Sequence, residues 1–309
     1  MRLGERGESM FVAFQLRLAF REFIELAKLA GRSDKAAWAE VELKRYDELL
    51  EKYAWDGQWY LRAYREDGFK FGSATSEEGR IFMNAQTWAV ISGHAQGERA
   101  RQILEIMHRE LATEYGIMLC APPYTRTDHK IALARLMNPG NKENAGIFNH
   151  VQGWAVMAAA MAAMPDRAWE YLYQVMPARF NDIAEIREVE PYVVCQSTHS
   201  RFSRRFGKGR VSWLSGSAVW NYYAMTHVIL GVQPDYTGLR LQPIIPAGWS
   251  ACKLQRHFRG CHFDIEIRRG DCDQLQIECN GERMPGNLIP AERFQPSNRV
   301  VVTLPSVQH

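Results

Sequence analysis

Residues 138–150, NPGNKENAGIFNH, place Lys142, Glu143 and His150 among four Asn residues, a Pro, two Gly and an Ala. That is an unusual density of polar chemistry beside the apolar Ile147–Phe148. Further polar side chains are scattered through other segments: Asp56, Arg62, Glu77, Glu78, Arg80, Gln86, Glu190, Gln196, His199, Arg201 and the Ser215–Gly216 pair. Carboxylates with aromatics in loops suit carbohydrate chemistry, in which an acid protonates the leaving oxygen. Cationic side chains with a Ser and free backbone N–H groups suit an anion such as phosphate. Each residue also has a plain structural use. Asp56 and Glu77–Glu78 read as turn or cap residues, Arg62 as an ion-pair partner, and Ser215–Gly216 as a helix N-cap. Lys142–Glu143 alone would be a surface ion pair worth roughly 0–1 kcal/mol. His150 alone would be a helix-start or buried structural histidine.

The elements that must position these groups are mostly helical. Val12, Leu16, Phe20 and Phe23 recur at helical spacing over 9–31, and Gly31 stops the run. Ser33 or Asp34 can cap a second helix reaching about Tyr53. Further helices are expected at about 84–93, 97–114, 150–164, 166–176 and 213–230. Three long aromatic and polar loops, 54–80, 117–149 and 177–210, join them. Loops beyond about 12–15 residues are usually functional. Long loops alternating with helices fit a helical toroid whose one end carries a site. WDGQWYLRAYREDGFKFGS, from Trp55, has Asp-Gly pairs at 56–57 and 67–68 and reads as an ordered loop or short hairpin. After GVQPDYTGLRLQPIIP at 231–246, alternating or β-branched runs separated by turns predict a small antiparallel β region over about 233–305.

Composition excludes several classes. Hydrophobic residues are 46% and charged residues 24%, ordinary globular values. A net charge of +3, from 38 basic and 35 acidic residues, argues against nucleic acid or an anionic membrane surface as partner. No apolar run approaches the roughly 20 residues that span a bilayer, and the first residues lack a signal-peptide core, so cytoplasm is the expected location. Six Cys without CxxC spacing are expected as reduced structural thiols. There is no GxxxxGK[ST], no GxGxxG after a strand, no HExxH and no EF-hand loop, so neither a nucleotide nor a metal is implied. THSRFSRR at 198–205 lacks the form of a nucleophile elbow.

NPGNKENAGIFNHVQGWAV resembles the PG-KENGGIF-H signature of glycoside hydrolase family 94, the inverting disaccharide phosphorylases. WDGQWYLRAYREDG, EEGRIFMNAQTWAVISG, EPYVVCQ and SWLSGSAVWNYYAMTHVILGVQPDYTGLRLQPIIP are similar to further blocks of that family, in the same order. The resemblance covers nearly all of residues 6–250. It implies a fold that is mainly α with a β tail. Residues 1–232 would be the second half of an (α/α)6 toroid, and 233–309 a jelly-roll-like, β-sandwich-like domain. It implies that inorganic phosphate, as co-substrate and with no other cofactor, attacks the anomeric carbon of a β-linked disaccharide with inversion. It assigns phosphate binding to His150, Ser215 and Gly216, with Ser215 standing where the family has Thr. It assigns sugar binding to Lys142, Glu143 and Gln196.

The family's general-acid Asp lies in a DWND motif just before a GESVFVAF-type helix. Here GESMFVAFQLRLAF begins at residue 7 and DWND occurs nowhere. No catalytic residue is therefore assigned within the chain, which resembles the C-terminal portion of a phosphorylase. Loss of the general acid removes a factor of roughly 10²–10⁴. An exposed apolar face is expected, covered by a complementary N-terminal fragment or by homo-oligomerisation. Two alternatives stand: a non-catalytic carbohydrate-binding remnant, and an (α/α) glycosidase pairing Glu143 with Glu190 or Asp56.

Overall fold

The computed structural model describes residues 1–213 and 216–307. Helix α1 runs Met10–Leu29, and its first turn is capped by Ser9, whose Oγ accepts from the Val12 N–H at 3.4 Å. Gly31 at φ +69° turns the chain back, and the Arg32 N–H donates to the Ala27 carbonyl at 2.8 Å. Helix α2 is Ser33–Tyr53. Its cap position is Arg32, with no side-chain cap bond; Asp34 pairs with Arg32 instead of capping. Helices α3 (Met83–Ile91), α4 (Gly97–Leu111), α5 (Gln152–Met161) and α6 (Pro165–Tyr173) follow. Two short helices close the set, α7 (Ala184–Arg187) and α8 (Ser217–Tyr223), the latter continuing as a π-helical turn over Ala224–Ile229.

All nine residues of α3 are buried, and so are eight of the ten in α5. Both are mostly apolar, and the polar side chains of Gln86, Thr87 and Gln152 are satisfied by backbone groups, so both helices can lie inside the protein. Helices α3 and α5 accordingly pack on each other, with α1 and α4 against α3 and α6 and α8 against α5. The expected half-toroid is not what forms. Only α1 and α2 make a long helix pair, of 20 and 21 residues. The other helices have 15 residues or fewer, and the segments between them form small sheets rather than plain loops. Glu8–Ser9 pairs with Ala63–Tyr64, which pairs with Lys70–Phe71. Ile81–Phe82 pairs with Cys120–Ala121. Ile147–Phe148 pairs with Ser197–Thr198, which pairs with Gly209–Arg210. Helical periodicity alone cannot report these two-residue ladders, because alternation needs a longer run to register.

One apolar cluster spans the helical part, from Met10 to Ile229. A second begins at Leu230 and fills the C-terminal sheets. There, Val232–Pro234, Gly238–Leu241 and Leu288–Pro290 form a three-stranded antiparallel sheet. A five-stranded sheet is ordered Ala251–Phe258, Cys261–Gly270, Ser297–Pro305, Gln276–Cys279, Glu282–Arg283. It is mixed, not antiparallel as expected: Cys261–Gly270 runs parallel to Ser297–Pro305. Parallel neighbours need a long crossover, and residues 271–296 supply it. The outer faces of α1 and α2 leave Val12, Leu26, Leu29, Trp38 and Val41 at least half exposed, Val41 at 66%.

Candidate active site

Most of the polar residues in 138–150 serve the backbone. Asn144 is fully buried; its Nδ2 donates to the carbonyls of Tyr124 and Met137 at 2.9 Å each, and its Oδ1 accepts from the Tyr124 N–H at 2.7 Å. Asn149 Nδ2 donates to the Cys195 carbonyl at 2.9 Å. Just beyond, Gln152 donates to the Ile117 carbonyl and accepts from its N–H, at 2.9 and 2.8 Å. Buried amides of this kind lock loops together, because each satisfies backbone groups that would otherwise be costly to bury. The turn itself needs unusual backbone. Lys142 and Ala145 have φ of +46° and +63°. At Gly146 a Cβ would stand 2.5 Å from the Lys142 nitrogen, so only glycine fits there.

The clamped turn presents Glu143 at the rim of a cavity of about 250 Å³, lined also by Arg62, Asn84, Tyr124, Phe148 and Val151. Arg62 donates to Ser9 Oγ at 2.8 Å and lies over the Phe11 ring at 4.9 Å. Burial pulls its pKa down to about 10. Arg62 is thus bonded to a hydroxyl rather than to a carboxylate, a half-buried cation on the cavity that Glu143 also lines.

His150 sits on a single 3₁₀ turn, Asn149–Val151, that opens α5. Its ring meets Trp154 edge-on at 5.8 Å and stacks on Trp220 at 6.4 Å. Gly216 lies directly beside it: a Cβ there would be 3.9 Å from His150 Cε1 and 4.0 Å from Nδ1. Gln196 joins from a third segment, its carbonyl accepting from the Asn149 N–H at 2.9 Å and its own N–H donating to Val211. Ser215 lies outside the described residues. Gly216 thus stands beside His150, and Gln196 is tied through its backbone to Asn149; Glu143 lines a cavity together with Phe148 and Val151, which flank this turn. Lys142 is half-buried in the preceding turn.

The remaining polar candidates serve the scaffold. Asp56 Oδ2 accepts from Ser73 Oγ and from the Ala74 N–H, both at 2.7 Å. Glu78 accepts from the backbone and hydroxyl groups of Thr125 and Thr127. Burial alone would raise the Glu78 pKa, but those hydrogen bonds outweigh it and hold the carboxyl at about 2. Arg80 pairs with Glu110 at 2.8 Å. Gln86 clamps Tyr60, accepting from its N–H and donating to its carbonyl. Glu190 accepts from Trp213 Nε1 at 2.8 Å. His199 bonds Ser203 Oγ, and Arg201 donates to the Glu110 carbonyl. The residues missed by sequence reading are Asn84, Tyr124, Trp154 and Trp220. Their surroundings are composed by segments far apart in the chain, and nothing local marks them.

Residues 1–231 match the catalytic domain of the glycosyl hydrolase 94 superfamily, and the chain belongs to that family. It is 34% identical over 303 residues to an N,N'-diacetylchitobiose phosphorylase of Vibrio proteolyticus, covering 96% of this chain and 38% of that protein. It is 33% identical over 291 residues to a solabiose phosphorylase of Paenibacillus borealis, covering 93% and 38%. A cellobionic acid phosphorylase of Neurospora crassa is 28% identical over 290 residues, covering 90% and 36%. The chain thus spans about 38% of the length of the first two relatives, and it corresponds to their C-terminal part. Among solved structures, a sialidase is similar in fold alone, with a TM-score of 0.56 over 80% of this chain and 22% of that one, at 12% identity. That likeness agrees with the absence of a regular half-toroid. Among the described residues, no helix is long and apolar enough to cross a membrane, and all six cysteines are free thiols.

Proposed function

We propose that this chain forms the phosphate side and part of the sugar side of an inverting disaccharide phosphorylase. In the completed enzyme, inorganic phosphate would attack the anomeric carbon of a β-linked disaccharide of the cellobiose or chitobiose type. The products would be an α-sugar-1-phosphate and a free sugar. The observation that carries the proposal is the closeness of Gly216 to His150, with the Gln196 backbone paired to that of Asn149, next to a cavity wall of Glu143, Phe148 and Val151. On this reading His150 donates to a phosphate oxygen, the Gly216 backbone leaves room for the anion, and Ser215 adds a hydroxyl. Lys142, Glu143 and Gln196 bind sugar hydroxyls. The relatives' names and the family match support the reaction class.

The general acid would come from sequence carrying the family's DWND motif, which residues 1–309 do not include. No carboxylate of this chain is proposed as its substitute. Asp56 and Glu190, the partners that a glycosidase would need for Glu143, are each already held by neighbouring donors. Residues 1–232 would be the catalytic portion and 233–309 a supporting β portion, a division supported by the change of apolar cluster at Leu230. The enzyme would act in the cytoplasm.

The test is reconstitution. The chain alone should release no sugar-1-phosphate from cellobiose or diacetylchitobiose with phosphate. Mixing it with the N-terminal portion of a relative, including DWND, should restore phosphorolysis, and His150→Ala in the mixture should raise the KM for phosphate. A well-folded, associated pair that stays inactive would overturn the proposal and favour a carbohydrate-binding role.

A further inference from the structure

Two histidines face each other far from this site. His257 and His262 are directly opposed in the hairpin of strands Ala251–Phe258 and Cys261–Gly270. His257 Nε2 lies 3.0 Å from His262 Nδ1, and the ring centroids are 4.7 Å apart. Asp264, two residues along on the same face, has Oδ1 3.8 Å from His262 Nε2. Gln255 Nε2 donates to that same oxygen at 2.9 Å and holds it in place. Ala251–Phe258 is an edge strand, and His257 is exposed, so the pair opens to solvent.

We propose that His257 and His262 chelate a divalent transition-metal ion, with Cu²⁺ and Ni²⁺ bound in preference to Zn²⁺. The two nitrogens supply the geometry. A metal–imidazole bond is about 2.0–2.1 Å, so nitrogens 3.0 Å apart subtend about 90° at a shared metal. That is the cis angle of the tetragonal sites that Cu²⁺ and Ni²⁺ prefer, whereas tetrahedral Zn²⁺ would need the nitrogens about 3.4 Å apart. Among the described residues, no group of three or more His, Cys, Asp or Glu is gathered around a common centre. The site therefore offers two protein ligands, and water fills the remaining positions.

The protons can be placed. A neutral imidazole carries one N–H and one lone pair. With the proton on Nε2, the Nδ1 lone pair of His262 faces its partner. Without metal, His257 Nε2–H donates to that lone pair. With metal, His257 moves its proton to Nδ1 through solvent and offers Nε2 to the ion. Both rings stay neutral, and no net proton is released. The fixed β-register means that little side-chain freedom remains to be lost when the ion binds.

The experiment is calorimetric titration of the full chain with CuCl₂, NiCl₂ and ZnCl₂, followed by electron paramagnetic resonance of the Cu²⁺ form. One equivalent should bind, in the order Cu²⁺, Ni²⁺, Zn²⁺, and the Cu²⁺ spectrum should show coupling to two nitrogens. His257→Gln and His262→Gln should each weaken binding at least about tenfold. Asp264→Asn, which leaves both ligand nitrogens in place, should weaken it less than either histidine variant. His129→Gln, an exposed control, should leave it unchanged. Circular dichroism of each variant separates a lost site from a lost fold. No binding of Cu²⁺, or binding unaffected by both histidine variants in folded protein, would overturn the proposal.

Discussion

The turn at 138–150 and the hairpin at 251–270 hold polar side chains in place by different means. The hairpin relies on register. Eight opposed pairs run from Ala251–Arg268 to Phe258–Cys261, so His257 must face His262 whatever their chemistry. The turn has no such redundancy. Its strand, Ile147–Phe148, is two residues long, and the rest is held by three buried amides, Asn144, Asn149 and Gln152. A sheet distributes the cost of positioning over many backbone hydrogen bonds. A loop concentrates it in a few side chains, each of which leaves several buried groups unsatisfied when removed. Sites that must gather groups from distant segments are tied to the second arrangement, because loops can approach one another where strands of fixed pitch cannot.

The sharpest way to break this comparison is Asn144→Ala. It removes three buried hydrogen bonds and strands the Tyr124 N–H with two carbonyls. The expected cost is about 3 kcal/mol, read as a lowered urea midpoint. Gln255→Ala on the hairpin is the matched control, and an exposed strand change of this kind stays within about 0.5 kcal/mol. Equal effects at the two positions would mean that the turn is as redundantly specified as the sheet.

The same contrast explains what could be read from the chain before its structure. Helices α1, α2 and α4 follow apolar spacing and lie within a few residues of expectation. Helix α3 was expected from its run of apolar and small residues, but not its burial on every side. The half-toroid failed because the connecting segments hold ladders of two residues, too short to leave a period. The expectation of a purely antiparallel C-terminal region failed because alternation shows that a strand exists, not which way its neighbour runs. Of the polar set, Gln86 reads as chemistry and in the structure clamps Tyr60. Asp56 and Glu78 read as turn or cap residues; they tie loops together instead of capping a helix. The nearness of His150 to Gly216 came from family resemblance, since no local pattern links segments so far apart.

Glu78 offers a second, smaller test, through pH. Its side chain is only 7% exposed, and it ties residues 125–127 to the loop that precedes α3. Its ordinary pKa of 4.5 falls to about 2 in the folded chain. The folded state thus holds the proton less tightly than the unfolded state. The stabilisation is complete above the ordinary value and is lost as pH falls from there toward about 2. A contribution of about 2 kcal/mol is expected after allowance for solvent near the carboxylate. Urea titrations from about pH 5 to about pH 2 should show stability falling more steeply in the native chain than in Glu78→Gln. Parallel curves would show that the carboxylate is not what holds the two loops together.

The finest test lies inside the turn, at Ala145. Its φ of +63° is left-handed, which costs an L-residue about 1–2 kcal/mol. Ala145→Gly removes that strain. It also frees the unfolded backbone, at about 0.4–1 kcal/mol, and deletes a methyl group that is fully buried against Phe82, Cys120 and Tyr124. A buried methyl is worth about 0.8 kcal/mol. These terms nearly cancel, so the thermal midpoint should barely move, with a net change under about 0.5 kcal/mol. Ala145→Val should instead lose at least about 2 kcal/mol, because a β-branched residue tolerates positive φ worst and the site has no room. A clear stabilisation by Gly would show that the methyl packs poorly and that backbone strain dominates this turn. A clear loss would show the reverse: the small apolar cluster beneath the turn, more than its backbone geometry, holds Glu143 over the cavity.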